Sequence, residues 1–163
     1  MATTDRPSHL PPLGAHENGE VGKELQGTLL ALIALSLIGK QLHWNVTGPL
    51  FRPLHLQLDE LVDSWRDLSD VVAERAVAIG YAPDGRAPTV VSSSGLQPME
   101  AGPVEDHVAL RELVERVAWV AERTRERADR VGELDIASQD VLIEVLRALE
   151  QQLWMIRAQL PGS

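Results

Sequence analysis

The chain has 163 residues, of which 44% are hydrophobic and 24% charged, values typical of one globular domain with a buried core. Its formal net charge is −9 and only two of its 15 basic residues are lysines, so the chain as a whole does not attract nucleic acid. It contains no cysteine, which excludes disulfides and thiolate ligands and leaves carboxylate and imidazole as the side chains able to hold a metal.

Residues 1–17 are expected to form a flexible N-terminal tail, because they contain three prolines and little apolar periodicity. They show no signal-peptide pattern, and the longest apolar run, from Leu29 to Ile38, is interrupted by Ser36. We therefore expect no membrane span and a cytoplasmic protein.

Residues 18–160 are predicted to form an all-α domain of four long helices, and residues 161–163 are its C-terminal end. Apolar residues recur at steps of three and four residues in four segments, which indicates one buried face on each helix. The predicted helices span about 18–46, 53–80, 104–131 and 136–160, with Asn18 and Asp135 as N-caps.

The connection between the second and third helices, residues 81–103, carries four prolines and three glycines and cannot be one regular element. The second helix has roughly 27 residues and is about 40 Å long, a distance that an extended connection of this length easily spans. Helices two and three can therefore run parallel, as in a ferritin-like four-helix bundle with one long crossover.

Two pairs of metal-binding side chains lie on the second predicted helix, His55 with Asp59 and Asp70 with Glu74, each spaced i, i+4. This spacing puts both members of a pair on one face, so each pair can hold a metal ion. Asp59 and Asp70 are about 16 Å apart along the helix, so one ion cannot contact both pairs. If the two pairs cooperate, a second, antiparallel copy of the helix must bring them together, which predicts a metal site shared between subunits.

A third imidazole, His43, lies near the end of the first helix in the string His43-Trp44-Asn45-Val46. With the two pairs it completes a five-position pattern, and the run from Lys40 to Arg75 resembles the Dps mini-ferritins, the DNA-protection proteins of starved bacteria. The similarity extends to the string Glu105-Asp106-His107 and to Leu153-Trp154.

The resemblance implies a ferritin-like bundle assembled as a hollow dodecamer, in which Fe(II) is oxidised at two-fold interfaces and Fe(III) mineral is stored inside. The implied iron ligands come from two subunits: His43, His55 and Asp59 from one, and Asp70 and Glu74 from its two-fold mate. Trp44 would lie beside the site and intercept oxidising radicals. The implied oxidant is hydrogen peroxide, with dioxygen as the alternative. Imidazole and carboxylate suit Fe(II) and stabilise the Fe(III) product.

Several acids lie outside the five-position pattern, and some of them have two interpretations. Glu60 is either a carboxylate that nucleates mineral or a plain surface acid, whereas Asp63 and Asp67 are assigned to solvent. Asp135 and Asp140, with Glu133, lie where the family lines three-fold pores with acids, although Asp135 also serves as an N-cap.

Lysine, histidine and tryptophan residues outside the five-position pattern also have expected roles. Lys40 either pairs with a site carboxylate and weakens one iron position, or is a surface lysine. His16, with Glu17, is a candidate accessory metal site in the tail, and His107 is expected to be structural or exposed. The three other tryptophans are expected to fill the core or subunit interfaces: Trp65, Trp119 and Trp154.

The chain departs from relatives that bind DNA through lysine-rich tails, because residues 1–17 contain no lysine and the C-terminus has no basic extension. We therefore expect weak or absent DNA binding. The alternative is a nucleoid-binding, DNA-compacting protein with incidental iron chemistry, which requires arginines clustered on the assembled surface. A third hypothesis is an inert or zinc-loaded bundle that keeps the ligands for assembly only.

Overall fold

The computed structural model describes residues 13–160. Residues 1–12 of the predicted tail, which include His9, and the C-terminal residues 161–163 lie outside the described residues. Residues 13–160 form five helices and two short strands: α1 Ala15–Asn45, β1 Val46–Thr47, α2 Phe51–Ala78, α3 Ala87–Ser93, β2 Val104–Glu105, α4 Asp106–Gly132 and α5 Ile136–Arg157. The four long helices confirm the predicted all-α bundle, and the short α3 lies within the predicted crossover.

The first helix begins earlier than predicted. α1 starts at Ala15, so the tail boundary at residue 17 and the N-cap at Asn18 are wrong. A Glu17 carboxylate oxygen accepts a hydrogen bond of 2.9 Å from the backbone N–H of Gly14, and this bond satisfies a donor that the helix leaves free. The second predicted N-cap is confirmed, because the side chain of Asp135 accepts a hydrogen bond from the backbone N–H of Ser138.

The apolar faces of the four long helices meet in one core, with Trp65 fully buried inside it. α1 and α2 approach closely at Gly39, where an added Cβ would lie 2.6 Å from Val62 Cγ2 and 2.7 Å from the Trp65 ring. Only glycine permits that approach. Trp65 is therefore a core residue as predicted, Trp119 is partly buried, and Trp154 lies outside the core at 67% exposure.

Two long-range contacts define the topology. β1 pairs in parallel with β2, Val46 opposite Val104, so the end of α1 adjoins the start of α4. At the other end of the bundle, Arg75 near the end of α2 donates a hydrogen bond of 2.7 Å to Asp135, which precedes α5. α2 therefore begins and ends beside the corresponding ends of α4, and the prediction that these helices run parallel is confirmed.

The turn between α1 and α2 is fixed from outside by Asp106, the first residue of α4. Asp106 accepts hydrogen bonds of 2.7 Å from the backbone N–H groups of Leu50 and His107. The bond from Leu50 is the largest effect holding the pKa of Asp106 below its ordinary value. Gly48 has φ of +114°, and an added Cβ there would lie 2.6 Å from the Asp106 carboxylate. The turn is thus tied to α4, and His107 is exposed as predicted.

The first helix has the length and composition of a membrane span. α1 is 31 residues long, and an 18-residue window within it has a mean hydropathy of 1.5, so by length and composition it is apolar enough to cross a membrane. However, 61% of that window is buried inside the bundle, as expected for a core helix.

Candidate metal centre

His43 and His55 form the rigid part of the candidate centre. Their rings stack with centroids 3.7 Å apart and planes 19° from parallel. His43 Nδ1 lies 2.8 Å from the backbone oxygen of His55, and His55 Nδ1 lies 2.9 Å from the backbone oxygen of His43. A carbonyl oxygen only accepts, so each Nδ1 is the donor, and each neutral ring keeps its lone pair on Nε2. Both histidines are thereby fixed in the tautomer that binds a metal through Nε2.

Local sequence explains why the two rings meet. His43 is in the last turn of α1 and His55 is in the second turn of α2, on either side of a short connection. Since α1 and α2 are antiparallel neighbours, residues close to the turn on both helices face each other. The ring of Phe51 packs against His55 with centroids 5.1 Å apart, a contact that the sequence analysis did not identify. His43 is 7% exposed and His55 is partly buried, so the imidazole pair lies at the edge of the core.

Asp59 joins this pair but is engaged by a lysine. It lies one turn after His55, and its Oδ1 is 3.4 Å from His43 Nδ1. Lys40 donates a hydrogen bond to the same oxygen, which settles the open question about Lys40 in favour of pairing with a site carboxylate. That bond is the largest effect holding the pKa of Asp59 below its ordinary value, and the two imidazoles act in the same direction against partial burial. The ammonium group of Lys40 therefore occupies a position beside the Asp59 carboxylate where a metal cation would bind.

Asp70 and Glu74 are not part of this group within one chain. Both are exposed on α2, and Asp70 is about 16 Å further along the helix than Asp59. Within residues 13–160 no three histidine or acidic side chains are arranged to hold a metal ion in a single chain. The structure thus brings His43, His55 and Asp59 together and leaves the other pair apart, the distribution expected of a centre that needs two chains.

The other candidate residues lie in different settings. Trp44 follows His43 in sequence, but its side chain is 69% exposed. Glu60, Glu133 and Asp140 are exposed acids. His16 is in the first turns of α1, with Nε2 3.7 Å from an oxygen of Glu20 rather than beside Glu17.

Asp135 is committed to structure. Besides capping α5 through Ser138, it pairs with Arg75, whose Nε also donates to Ser138 Oγ at 2.9 Å. Burial alone would raise the pKa of Asp135, but the hydrogen bonds from Ser138 and Arg75 and the charge of Arg75 outweigh it and lower that pKa. The negative charge of Asp135 is therefore paired with Arg75, and its side chain is engaged at the start of α5.

Comparisons with known proteins agree with this fold. Residues 22–161 match the family model described as a ferritin-like domain. The chain is 33% identical over 156 residues to the DNA protection during starvation protein of Mycolicibacterium smegmatis, covering 94% of this chain and 84% of that protein. It is also 33% identical over 159 residues to DNA protection during starvation protein 2 of Deinococcus radiodurans, covering 98% of this chain but only 66% of that longer relative.

The solved structure of DpsA14 from Streptomyces coelicolor superposes with a TM-score of 0.89 and is 34% identical, covering 94% of this chain and 91% of that one. A family match over most of the chain, relatives named for DNA protection and a Dps structure of the same fold all lead to one assignment. The chain belongs to the Dps family of ferritin-like proteins.

Proposed function

We propose that this protein oxidises Fe(II) at sites shared between two subunits and stores the Fe(III) product, protecting DNA and the cell from oxidative damage. Iron storage and DNA protection are the functions of the family. One observation supports the finer assignment most directly: His43, His55 and Asp59 are gathered in one chain, and Asp70 and Glu74 lie too far along the same helix to join them.

The chemistry of these groups suits Fe(II) as a substrate. Nε2 of each fixed imidazole and the oxygens of three carboxylates form a donor set of intermediate and hard ligands, which suits Fe(II) and stabilises Fe(III). Hydrogen peroxide takes two electrons, one from each of two Fe(II) ions, and with two protons becomes water. No hydroxyl radical is released in that two-electron reaction. Dioxygen is the alternative oxidant.

The proposal includes an oligomeric assembly and accessory roles for residues outside the five proposed ligands. The subunits form two-fold dimers within a hollow dodecamer in the cytoplasm of a bacterium, and native mass spectrometry counts them. Exposed Trp44 intercepts radicals that escape the site, and Glu60 nucleates mineral. Asp140 and Glu133 line the pore, with a smaller contribution from Asp135 because Arg75 pairs with it. His16 remains a candidate accessory metal ligand.

A direct test is to add Fe(II) to the metal-free protein and follow ferric absorbance with hydrogen peroxide and, separately, with dioxygen. His43→Ala or Asp59→Ala should slow oxidation by about tenfold or more, because each removes a ligand. His107→Ala is the matched control, since His107 is an exposed histidine that is not one of the five proposed ligands. Unchanged rates in the first two variants would contradict the ligand assignment, and no oxidation by the unmodified protein would favour the inert or zinc-loaded bundle.

The DNA-compacting alternative is weakened by the pairing of surface arginines. Three arginines of α4 are bound to glutamates within the same chain: Arg125 to Glu150, Arg123 to Glu126 and Arg130 to Glu24. Such pairs neutralise the charge that phosphate contacts require. We expect plasmid to migrate unshifted in a gel with this protein at near-physiological salt. A robust shift there would favour the alternative.

A further inference from the structure

Two oppositely charged residues lie at the centre of the exposed face of α2. Asp63 is 73% exposed and Arg66 is 57% exposed, and Arg66 Nη1 lies 4.0 Å from Asp63 Oδ1 in the same chain. At these exposures an ion pair within one helix contributes little to stability. Neither side chain has another ion-pair partner among residues 13–160. Asp63 and Arg66 therefore form an exposed pair of opposite charges on α2 that is complementary to a second, antiparallel copy of itself.

The register of a second chain against this face follows from the candidate metal centre, so this step rests on the proposed function. Two antiparallel α2 helices must place His55 opposite the partner's Glu74 and Asp59 opposite the partner's Asp70. In both pairings the residue numbers have the same total, so a single register satisfies both. The two-fold axis then crosses α2 at the level between residues 64 and 65.

The same register places Asp63 directly opposite the partner's Arg66. The side chains at the axis level itself do not take part, because Trp65 is fully buried with its Nε1 donating to Gln152, and Ser64 accepts a hydrogen bond from that same glutamine. The exposed groups nearest the axis are therefore the charged pair.

We propose that Asp63 and Arg66 form reciprocal ion pairs with the partner's Arg66 and Asp63, and that these pairs fix the register in which the two metal centres are assembled. Around the axis the four charges alternate in sign, because each side chain lies near one opposite charge in its own chain and another in the partner. Both pairs lose solvent when the helices meet, which strengthens them relative to a pair exposed on one helix.

The pattern also disfavours wrong registers. A shift of three residues in one direction sets Arg66 against the partner's Arg66, and the same shift in the other direction sets Asp63 against the partner's Asp63. Like charges facing each other across an interface oppose association. A neighbouring contact fits the correct register as well, because exposed Leu56 then faces the small side chain of the partner's Ala73.

The test is a charge swap measured on metal-free protein, so that assembly is assessed separately from iron oxidation. D63R and R66D each put like charges across the axis, and the concentration at which subunits dissociate should rise by about tenfold or more, as followed by native mass spectrometry through a dilution series. The double variant D63R/R66D restores opposite charges at both positions and should return the dissociation concentration to that of the unmodified protein.

A matched control is R125E. Arg125 has the same 57% exposure and also pairs with an acid, but it lies on α4 and its partner Glu150 lies on α5, so neither is on the exposed face of α2. It should assemble normally, and circular dichroism should show full helix content in every variant. The proposal is overturned if the single reversals assemble like the unmodified protein, or if the double variant is as weak as they are. If instead the swap behaves as expected but the assembled protein does not oxidise Fe(II), the proposed function fails and the ion pairs stand.

Discussion

The proposed sharing of each iron site between two chains can be tested by complementation between two inactive variants. One variant carries His55→Ala and Asp59→Ala, and the other carries Asp70→Ala and Glu74→Ala. Each alone lacks two of the five proposed ligands at every site, because the two-fold operation repeats the loss at both sites of a dimer. Both should therefore oxidise Fe(II) slowly.

A mixed dimer differs from both parents. One of its two sites takes His55 and Asp59 from the second variant and Asp70 and Glu74 from the first, so that site has all five ligands and the other site has only His43. Random pairing makes half of the dimers mixed, and each of these has one intact site of two, so the mixture should recover about a quarter of the unmodified rate. No recovery is possible within one chain, where Asp59 and Asp70 are about 16 Å apart.

The assay is the initial rate of ferric absorbance after peroxide is added to Fe(II)-loaded protein from co-expressed, differently tagged chains. Native mass spectrometry of the same sample measures the fraction of mixed dimers. The matched control pairs the first variant with a His43→Ala chain, a combination in which no dimer contains an intact site. If mixed dimers are present but are no more active than this control, the ligands are not shared and the reasoning from helix spacing is refuted.

Three further substitutions test individual contacts. Lys40→Gln frees Asp59 from its ammonium partner, so Co(II) should bind the metal-free protein more tightly in a calorimetric titration, and unchanged affinity would show that the lysine does not compete. Asp135→Ala removes a helix cap and should lower the free energy of unfolding by about 1–2 kcal/mol at neutral pH. Because the pKa of this carboxyl is lowered in the folded protein, that difference should be complete above about pH 4 and disappear as the pH falls through the folded-state pKa; a difference that persists in acid would contradict the assignment. Gly39→Ala forces a methyl group into the contact between α1 and α2 and should cost about 1–3 kcal/mol in thermal unfolding, whereas Gly19→Ala, with open space around it, should be neutral or stabilising.

The helices were predictable because their apolar residues recur with one helical period. The crossover was predictable because prolines and glycines interrupt that period between residues 81 and 103. The start of α1 was not, since Asn18 is a good N-cap by residue type, and the earlier start at Ala15 depends on a side-chain bond from Glu17 back to Gly14. Trp154 shows a similar limit, because helical periodicity does not distinguish a core face from an open one on a subunit.

At the candidate centre, spacing predicted which residues lie on one face of α2, and the need for a second chain stays a prediction. It did not predict the mutual hydrogen bonds of His43 and His55, because these use backbone oxygens, which carry no sequence signal. The choice between two roles for Lys40 needed the distance between α1 and α2, and that distance depends on Gly39 and the residues packed around it. The contacts that the sequence pattern did not predict are therefore those that depend on how α1 and α2 pack against each other.

All five proposed ligands lie on the hairpin formed by α1 and α2, and the hairpin formed by α4 and α5 supplies none of them. The second hairpin supports the centre from outside, for example through Asp106 and the two-residue parallel bridge between β1 and β2. The surface of the second hairpin, and so its contacts with neighbours, can therefore change while the five proposed ligands on the first hairpin are preserved. Such changes must preserve the hydrogen bond that Asp106 accepts from Leu50 in the turn between α1 and α2.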